Sequence, residues 1–496
     1  MKRVSLLLLA FLMLLPLFAA CSEKPKDPAD PDAEPSGTSA AAETEPMTEE
    51  KGLAFVDAVP ALDFGGETFD ILQYTKNNWF YVEDQNGEQL NDIVYERNRT
   101  LEERFDIKIV EPNTVGWNDL IDMVSTLVPA GDDQYDMVSQ SLRRTENTLS
   151  KGVFRNVLDL PYIDIDNPWY TQGLEDAIIA GKLLFLTGDY TLSYTAGTVV
   201  MYFNKAKWID YIHTTDDLYQ MVRDGKWTID RVTEYSADLY NDLNGNSRRD
   251  EDDFYGFAAN YVACVNAWVY GADMRRIRIV GDDYIIEQDM LNEQLVDLYT
   301  KLRYLMTTSQ GAVAYFFSER NDDDNSVFFL SGNALFSSFS VGMMTSSQMV
   351  AMEDDFGVLP VPKWSEDQQN YYTNVDNGTA DVIGILKTVQ NTEMVGAVIE
   401  AMSAMSYTYV MPVYCQSVLE LRSTRDPESS EMLRMVMDTR VMDWETLYAG
   451  YDGWTTRQRK FVNTAECPEL VSGIVSRLQE VLNIYDRTIE TLLDME

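Results

Sequence analysis

Histidine and cysteine are scarce in this chain of 496 residues, which contains one histidine, His213, and four cysteines. A single histidine excludes zinc sites built on several histidines, and no G-x-S-x-G sequence supplies a nucleophile for a hydrolase triad. Beyond Cys21 the cysteines are Cys264, Cys415 and Cys467, an odd number without C-x-x-C spacing. Neither a thiolate metal site nor a disulfide framework is therefore expected. Complete phosphate-binding loops and G-x-G-x-x-G motifs are also absent. We expect a protein that is not an enzyme.

Basic residues are also few, because 39 Lys and Arg stand against 81 Asp and Glu, for a net charge of −42. A field of this sign repels phosphate backbones, so no nucleic-acid partner is expected. Hydrophobic residues make up 45% of the chain and aromatics 11%. This composition indicates a packed body, and the length is sufficient for two lobes.

The N-terminal residues have the pattern of an export signal. Lys2 and Arg3 precede an apolar run that ends at Ala19-Ala20-Cys21. The run is short for a membrane span, which needs about 20 apolar residues, and its end resembles a bacterial lipobox. We predict a lipoprotein signal peptide at residues 1–20 and lipid attachment to Cys21 at the extracytoplasmic face of the cell membrane. An ordinary signal peptide is the alternative. Residues 21–63, rich in Pro, Ala and acid, are predicted to form a disordered tether.

The next segment alternates strand and helix patterns. Residues 68–74, 107–110 and 135–139 are predicted as strands, and residues 91–105 and 117–128 as amphipathic helices. This order favours a parallel sheet covered by helices. Ligands of such sheets lie beyond the carboxyl ends of the strands. Tyr74, Gln140 and Ser141 are predicted to occupy those ends.

Several short fragments then follow in a recognisable order. They are Gly181–Phe185 (GKLLF), Val200–Lys205 (VMYFNK), Asp224–Thr228 (DGKWT), Tyr255–Phe257 (YGF), Phe329–Ala334 (FLSGNA) and Phe356–Lys363 (FGVLPVPK). With the lipobox and the acidic tether, this order resembles the extracellular solute-binding proteins of ABC importers, in the family that includes maltose-binding protein. The resemblance implies an α/β, two-lobe periplasmic-binding-protein-like (type II) fold, with hinge crossovers and a ligand cleft between the lobes.

By the same resemblance, lobe one contains residues 64–192 and 338–405, and lobe two contains residues 193–337 and 406–496. The crossovers are expected near Asp189–Gly197, Ser337–Ser340 and Ser403–Tyr409. The implied function of the monomer is to capture a carbohydrate, in particular an oligosaccharide, and to deliver it to the permease subunits of an ABC importer. A sugar-sensing or adhesive receptor of the same fold is the alternative, followed by a glycoside hydrolase.

The expected cleft residues combine rings and polar groups, as sugar sites do. Trp268 and Trp454 are predicted to stack on sugar faces, although a core position is the competing interpretation for either ring. Gln140, Asp189 and Asp376 are predicted to bond hydroxyls. The other members of the predicted ligand-binding set are Tyr74, Ser141 and Tyr372.

An acidic loop gives a separate prediction. Oxygen-bearing side chains fall at positions 1, 3, 5, 9 and 12 of residues 242–253, the spacing of an EF-hand-like calcium loop. The predicted ligands of a structural Ca²⁺ are Asp242, Asn244, Asn246, the carbonyl of Arg248, Asp250 and Asp253. Ser247 replaces the usual glycine, and a solvated turn is the alternative.

Overall fold

The computed structural model describes residues 53–214, 216–259, 261–313, 326–420, 427–449 and 453–495, without the side chains of 259–263 and 418–420. The predicted signal peptide, Cys21 and most of the predicted tether lie outside the described residues. Within the described ranges, no helix is long and apolar enough to cross a membrane.

The described residues contain the following secondary structure. The strands are β1 Glu67–Phe69, β2 Ile71–Gln73, β3 Ile107–Ile109, β4 Asn113–Thr114, β5 Met137–Ser141, β6 Val199–Asn204, β7 Tyr240–Asn241, β8 Phe254–Ala259, β9 Ile277–Val280, β10 Ile285–Gln288, β11 Ala334–Ser340, β12 Phe356–Leu359 and β13 Asp381–Gly384. The helices are α1 Gln89–Phe105, α2 Trp117–Ala130, α3 Thr145–Leu149, α4 Leu192–Gly197, α5 Lys205–Lys207, α6 Leu218–Arg223, α7 Ile229–Ser236, α8 Tyr261–Gly271, α9 Glu293–Arg303, α10 Ser326–Leu330, α11 Ser347–Ala351, α12 Thr392–Met405, α13 Met411–Glu420, α14 Pro427–Asp438, α15 Trp444–Tyr448, α16 Trp454–Arg457, α17 Arg459–Val462 and α18 Leu470–Asp494.

The first sheet has the strand order β13-β5-β2-β4. Strands β4, β2 and β5 are parallel, and β13 is antiparallel to β5. The predicted helices are present as α1 and α2, and Gly131 ends α2 in the left-handed region. The predicted strand 68–74 is divided into β1 and β2. The backbone of Asp70, between them, is hydrogen-bonded to Asp136, and the chain pairs with different strands before and after this residue. As a result β1 pairs with β3, while β2 joins the sheet.

The second sheet has the order β12-β6-β11-β8-β7. Strand β11 is parallel to β8 and antiparallel to β6, and β12 is also antiparallel to β6. Rings fill its core, for example Tyr202 stacked on Phe339 with centroids 4.3 Å apart. Residues 338–359 therefore include second-sheet strands, whereas the sequence prediction placed 338–405 in lobe one. An apolar run identifies a strand but not the neighbour with which it pairs.

Three chain segments pass side by side between the two sheets, and we call residues 197–199, 373–376 and 439–441 the crossover ladder. The Val199 amide donates to the Asn374 carbonyl (3.1 Å) and the Asp376 amide to the Gly197 carbonyl (2.7 Å). On the other side, the Val441 amide donates to the Thr373 carbonyl (2.9 Å). The first crossing lies close to the predicted 189–197. The second, at 373–376, follows β12 of the second sheet and precedes β13 of the first, so it lies downstream of the predicted 337–340. The third, at 439–441, joins α14 to α15, and the crossing near 403–409 stays a prediction.

Candidate functional site

The carboxyl end of the first sheet presents polar and aromatic groups. Tyr74 follows β2, and its ring centroid lies 5.0 Å from that of Trp117. The Arg144 guanidinium lies 4.8 Å from the centre of the same Trp117 ring. Beneath them, Asp381 at the start of β13 accepts a hydrogen bond from the Asn78 side chain (2.8 Å). Burial raises the pKa of Asp381 to about 7.

A small cleft opens where this edge meets the crossover ladder. We call it the carboxyl-edge cleft, and it is lined by Arg143, Asn266, Val375, Asp376, Asn377, Thr455 and Thr456. Its volume is about 10 Å³, close to the smallest space that holds one water molecule. Arg143 follows β5, Asn266 comes from α8 beside the second sheet, and Val375 and Asp376 belong to the crossover ladder. The first sheet, the second sheet and the crossover ladder therefore all contribute residues to the wall of the cleft.

Hydrogen bonds fix the cleft wall near the ladder. The Arg143 amide donates to the Asn377 carbonyl (2.9 Å), and the Ser141 hydroxyl donates to the same carbonyl (3.4 Å). The Asp376 carboxylate accepts from the Gly378 amide (3.1 Å) and the Thr379 hydroxyl (2.7 Å). These bonds hold a tight turn directly after the crossing, so the side chains of that turn keep a defined position.

Two buried carboxylates, Asp443 and Glu445, support the remaining walls. Glu445 Oε1 accepts from both the amide (2.7 Å) and the hydroxyl (2.6 Å) of Thr455. Asp443 Oδ2 accepts from the hydroxyl of Tyr270 (2.7 Å), which lies one helical turn beyond Asn266 on α8. Burial, and then repulsion by Asp443, raise the pKa of Glu445 to about 7, while bonds from Thr455 oppose this shift. The pair ties α15 to two parts of the cleft.

A much larger cavity lies beside the crossover ladder and has a volume of about 740 Å³. We call it the crossover cavity. Its polar and aromatic lining includes Tyr170, Gln172, Asp189, Tyr407, Arg434 and Arg440. Asp189 is 9% exposed and forms an ion pair with Arg440, with Oδ1 and Nη2 3.5 Å apart. Burial raises the pKa of Asp189, and the Arg440 charge opposes that shift.

The predicted polar residues are distributed over different places. Asp376 lines the carboxyl-edge cleft and Asp189 lines the crossover cavity. Gln140 is 2% exposed, and its side chain exchanges hydrogen bonds with Thr148. Ser141 is 1% exposed. Gln140 therefore offers little to a ligand in this conformation, because its amide is already bonded inside the protein.

The two predicted stacking tryptophans lie in the core. Trp268 is fully buried, and its indole N–H donates to the Ser338 hydroxyl (3.2 Å). Trp454 is 4% exposed, and its N–H donates to the Tyr299 hydroxyl (3.1 Å). Neither ring has a free face for a sugar here, because protein atoms cover both faces. Tyr372 is half-buried and its hydroxyl accepts from Asn370 (3.3 Å).

Sequence reasoning missed most of the cleft. Arg143 and Asn377 adjoin the predicted Ser141 and Asp376, so extending each prediction by one or two residues would have found them. Asn266 is held by Gln458, whose amide donates to it (2.6 Å). Neither Asn266 nor Thr455 lies in a pattern that marks a site. Only the packing of α8 against α16 brings them together.

The acidic loop is wrapped around its first residue. Asp242 accepts from the amides of Gly245 (2.7 Å), Asn246 (3.2 Å) and Ser247 (2.8 Å), and Ser247 has φ 60° at the position where glycine is usual. The amide groups of Asn244 and Asn246 donate to Asp250. Arg248 donates its amide to the Asn246 side chain (2.7 Å). Among the described residues, no three His, Cys, Asp or Glu side chains converge on one point that could hold a metal ion.

Asp253, the last residue of this loop, has an unsatisfied oxygen. The side chain is fully buried, and Oδ2 accepts from the Tyr240 hydroxyl (2.8 Å) and the Asp250 amide (3.0 Å). Oδ1 is buried without a hydrogen-bond partner. A buried carboxylate oxygen in this state is costly unless a proton donor or a cation reaches it.

Comparison with known proteins shows the fold. No protein-family model matches the sequence, and no curated protein matches it. The ABC substrate-binding protein Lmo0181 of Listeria monocytogenes, solved with cycloalternan, is 14% identical with a TM-score of 0.53, over 84% of this chain and 99% of that one. The maltose/maltodextrin-binding domain MalE of Bdellovibrio bacteriovorus, bound to maltotriose, is 13% identical with a TM-score of 0.51, over 85% and 99%.

A third similar structure is UgpB of Mycobacterium tuberculosis in complex with glycerophosphocholine. It is 14% identical with a TM-score of 0.53, over 86% of this chain and 99% of that one. The first two are named as binding proteins, and the third is in complex with a small solute. The likeness confirms the predicted fold class, a two-lobe α/β architecture of the periplasmic-binding-protein type.

The variant Glu445→Gln tests the raised pKa of Glu445, one of the two buried carboxylates that support the cleft. The folded-state pKa of Glu445, about 7, exceeds its usual 4.5, so its contribution to stability is full below pH 4.5 and falls as the pH rises to 7. Glutamine cannot ionise and keeps a carbonyl oxygen for Thr455. We expect the variant to match wild type near pH 4.5 and to exceed its free energy of unfolding by on the order of 2 kcal/mol near pH 8.

Urea unfolding at the two pH values measures this difference. The control is Glu480→Gln, because Glu480 is exposed on α18 and pairs only with Arg457 at the surface. It should give the same small effect at both pH values. A difference between Glu445→Gln and wild type that does not change with pH would contradict the raised pKa.

Proposed function

We propose that the protein captures a carbohydrate outside the cytoplasm and delivers it to the permease of an ABC importer. The observation that carries this proposal is the composition of the carboxyl-edge cleft, to which the first sheet, the second sheet and the crossover ladder all contribute. Closure of two lobes on a hinge would change the distances within such a site. A ligand bound there would therefore bias the hinge.

The chemistry of the cleft suits hydroxyl groups. A guanidinium, two amides, a carboxylate and two threonine hydroxyls line it, with Val375 as the one apolar residue. This set combines donors and acceptors, and a sugar hydroxyl can use both. Similar structures bind cycloalternan and maltotriose, which supports an oligosaccharide. The net charge of −42 disfavours an anionic solute.

We expect the protein to reach its permease as a monomer anchored to the membrane. Lys2, Arg3, the apolar run and Cys21 support export and lipid attachment. The predicted tether, residues 21–63, would then separate the folded part from the membrane surface. Metabolic labelling with a fatty acid should be lost in Cys21→Ala, and equal labelling of this variant would exclude the anchor.

A thermal-shift screen tests the capture of a carbohydrate. Binding to the folded state alone raises the melting temperature, and we expect this for at least one of cycloalternan, maltotriose and mannotriose. With that saccharide, Arg143→Ala should weaken binding about tenfold or more, since a lost buried partner costs about 1–3 kcal/mol. Calorimetry measures the affinity.

Arg99→Ala is the matched control, because Arg99 is exposed on α1 and bonds only neighbouring glutamates. It should bind like wild type. Glycerophosphocholine belongs in the same screen. A shift with glycerophosphocholine alone, or with none of the four compounds, would contradict the carbohydrate assignment.

We also propose that the acidic loop binds a structural Ca²⁺ through the residues predicted from its spacing. The unpartnered Asp253 Oδ1 supports this, because a hard cation is the natural partner of such an oxygen. Asp242 and Asp250 would join it once the asparagine amides turn their oxygens inward. An ion here would link β7 to β8 at the edge of the second sheet.

Calcium should raise the melting temperature of the wild type, with affinity of about 10⁻⁴ to 10⁻³ M as in extracellular modules. Asp253→Asn should abolish this increment, and Asp252→Asn, an exposed neighbour outside the ligand spacing, should keep it. If the melting temperature is indifferent to both calcium and chelator, the loop is a solvated turn.

A further inference from the structure

The crossover cavity is separate from the carboxyl-edge cleft, since no residue lines both. Its volume of about 740 Å³ lies within the range of about 300–1,000 Å³ typical of small-molecule sites. The cleft is nearly closed in the same conformation. The protein therefore contains a second, open space that the proposed capture of cargo does not explain.

Hydrogen bonds within the protein hold the polar floor of the cavity. Arg440 donates from Nε to the Met437 carbonyl (3.0 Å) and from Nη1 to the Thr195 hydroxyl (3.2 Å), and it lies 5.2 Å from the centre of the Tyr194 ring. The Asp189 amide donates to the Trp169 carbonyl (3.0 Å). These backbone and side-chain hydrogen bonds thus hold Asp189 and Arg440 in place before any ligand arrives, which lowers the entropic cost of binding.

Asp189 has unused capacity for hydrogen bonds. A carboxylate offers about four acceptor sites, and the long contact with Arg440 at 3.5 Å is the side-chain interaction that the structure gives it. The residue is nevertheless only 9% exposed. Burial is the main cause of its raised pKa, and Arg440 opposes the shift. A ligand that donates hydroxyl groups would supply the missing partners.

The walls favour a neutral ligand with an apolar face. Arg434 and Arg440 balance Asp189 and Asp438, so the lining carries no net charge. The ring of Tyr407 is partly free, with 43% of the residue exposed. The Tyr170 hydroxyl is occupied, because it donates to Glu400 (2.6 Å). An aromatic surface beside a carboxylate and a guanidinium suits the C–H face and the hydroxyls of a sugar ring.

We propose that the crossover cavity is a second saccharide site, in which Asp189 accepts hydrogen bonds from neighbouring sugar hydroxyls and Arg440 positions its carboxylate. This inference rests on the proposed carbohydrate function and adds to it a site outside the cleft. The thiol of Cys415 can report on ligand binding, because Cys415 lines the cavity while Cys264 and Cys467 are buried in the core.

The test combines thiol protection with calorimetry on the full chain. Cycloalternan, maltotriose and mannotriose are the probes, and N-ethylmaleimide labelling of Cys415 is followed by peptide mass spectrometry. Labelling is done at alkaline pH, because burial raises the pKa of Cys415 to about 11. We expect a binding saccharide to slow the labelling of Cys415 and to show two binding events in calorimetry.

Variants assign the two events. Asp189→Asn should weaken one event about tenfold and restore Cys415 labelling, while Arg143→Ala should weaken only the other. Asp486→Asn, exposed on α18, is the charge-matched control and should change neither. This pattern would support both sites.

Other results overturn one proposal or the other. If a saccharide binds in one event that depends on Arg143 and leaves Cys415 labelling unchanged, the second site is excluded and the capture function stands. If the single event depends on Asp189 alone, the cavity is the cargo site and the assignment of the cleft is wrong. If no saccharide binds, the proposed function fails, and the second site with it.

Discussion

The crossover ladder is the constraint on which the rest of the structure depends. Three segments that connect the two sheets are hydrogen-bonded to one another, and Thr373 in the central segment also donates its hydroxyl to the Val199 carbonyl (2.7 Å). The polar backbone of these connections is therefore satisfied without a continuous sheet. Both cavities touch this ladder, the cleft through Val375 and Asp376 and the crossover cavity through Arg440.

Buried charge supports the ladder from two sides. Asp381 joins the start of β13 to Asn78 and, through its amide, to the Ser193 hydroxyl (3.0 Å). On the other side, Thr446 is bonded by its amide to Asp443 (3.0 Å) and by its hydroxyl to Asn374 of the central segment (3.3 Å). Groups of this kind contribute little net stability, but an alternative packing would leave them unpaired. They favour one arrangement of the crossings, and with it one shape of the cleft.

Sequence periodicity predicted the elements that depend on local pattern and missed those that depend on partners. Helices α1 and α2 follow from apolar spacing, and the α/β class follows from the alternation of strands and helices. The pairing of β12 with β6, which displaces the predicted second crossover, depends on long-range contacts. Trp268 and Trp454 show the same limit at the site, because a tryptophan in sequence does not reveal whether its N–H is bonded in the core. Asp189 was predicted from its place at the first crossing and Asp376 from its place after the strand near Leu359, and each lines a cavity in the structure.

A cleft formed by two lobes and a hinge must open to admit its solute and close around it. Small-angle scattering, with and without a saturating saccharide identified by the screen, measures this most directly. We expect the radius of gyration to fall on binding, as the solute shifts the population towards the closed arrangement. An unchanged radius of gyration at full occupancy would contradict a cleft that closes between the lobes.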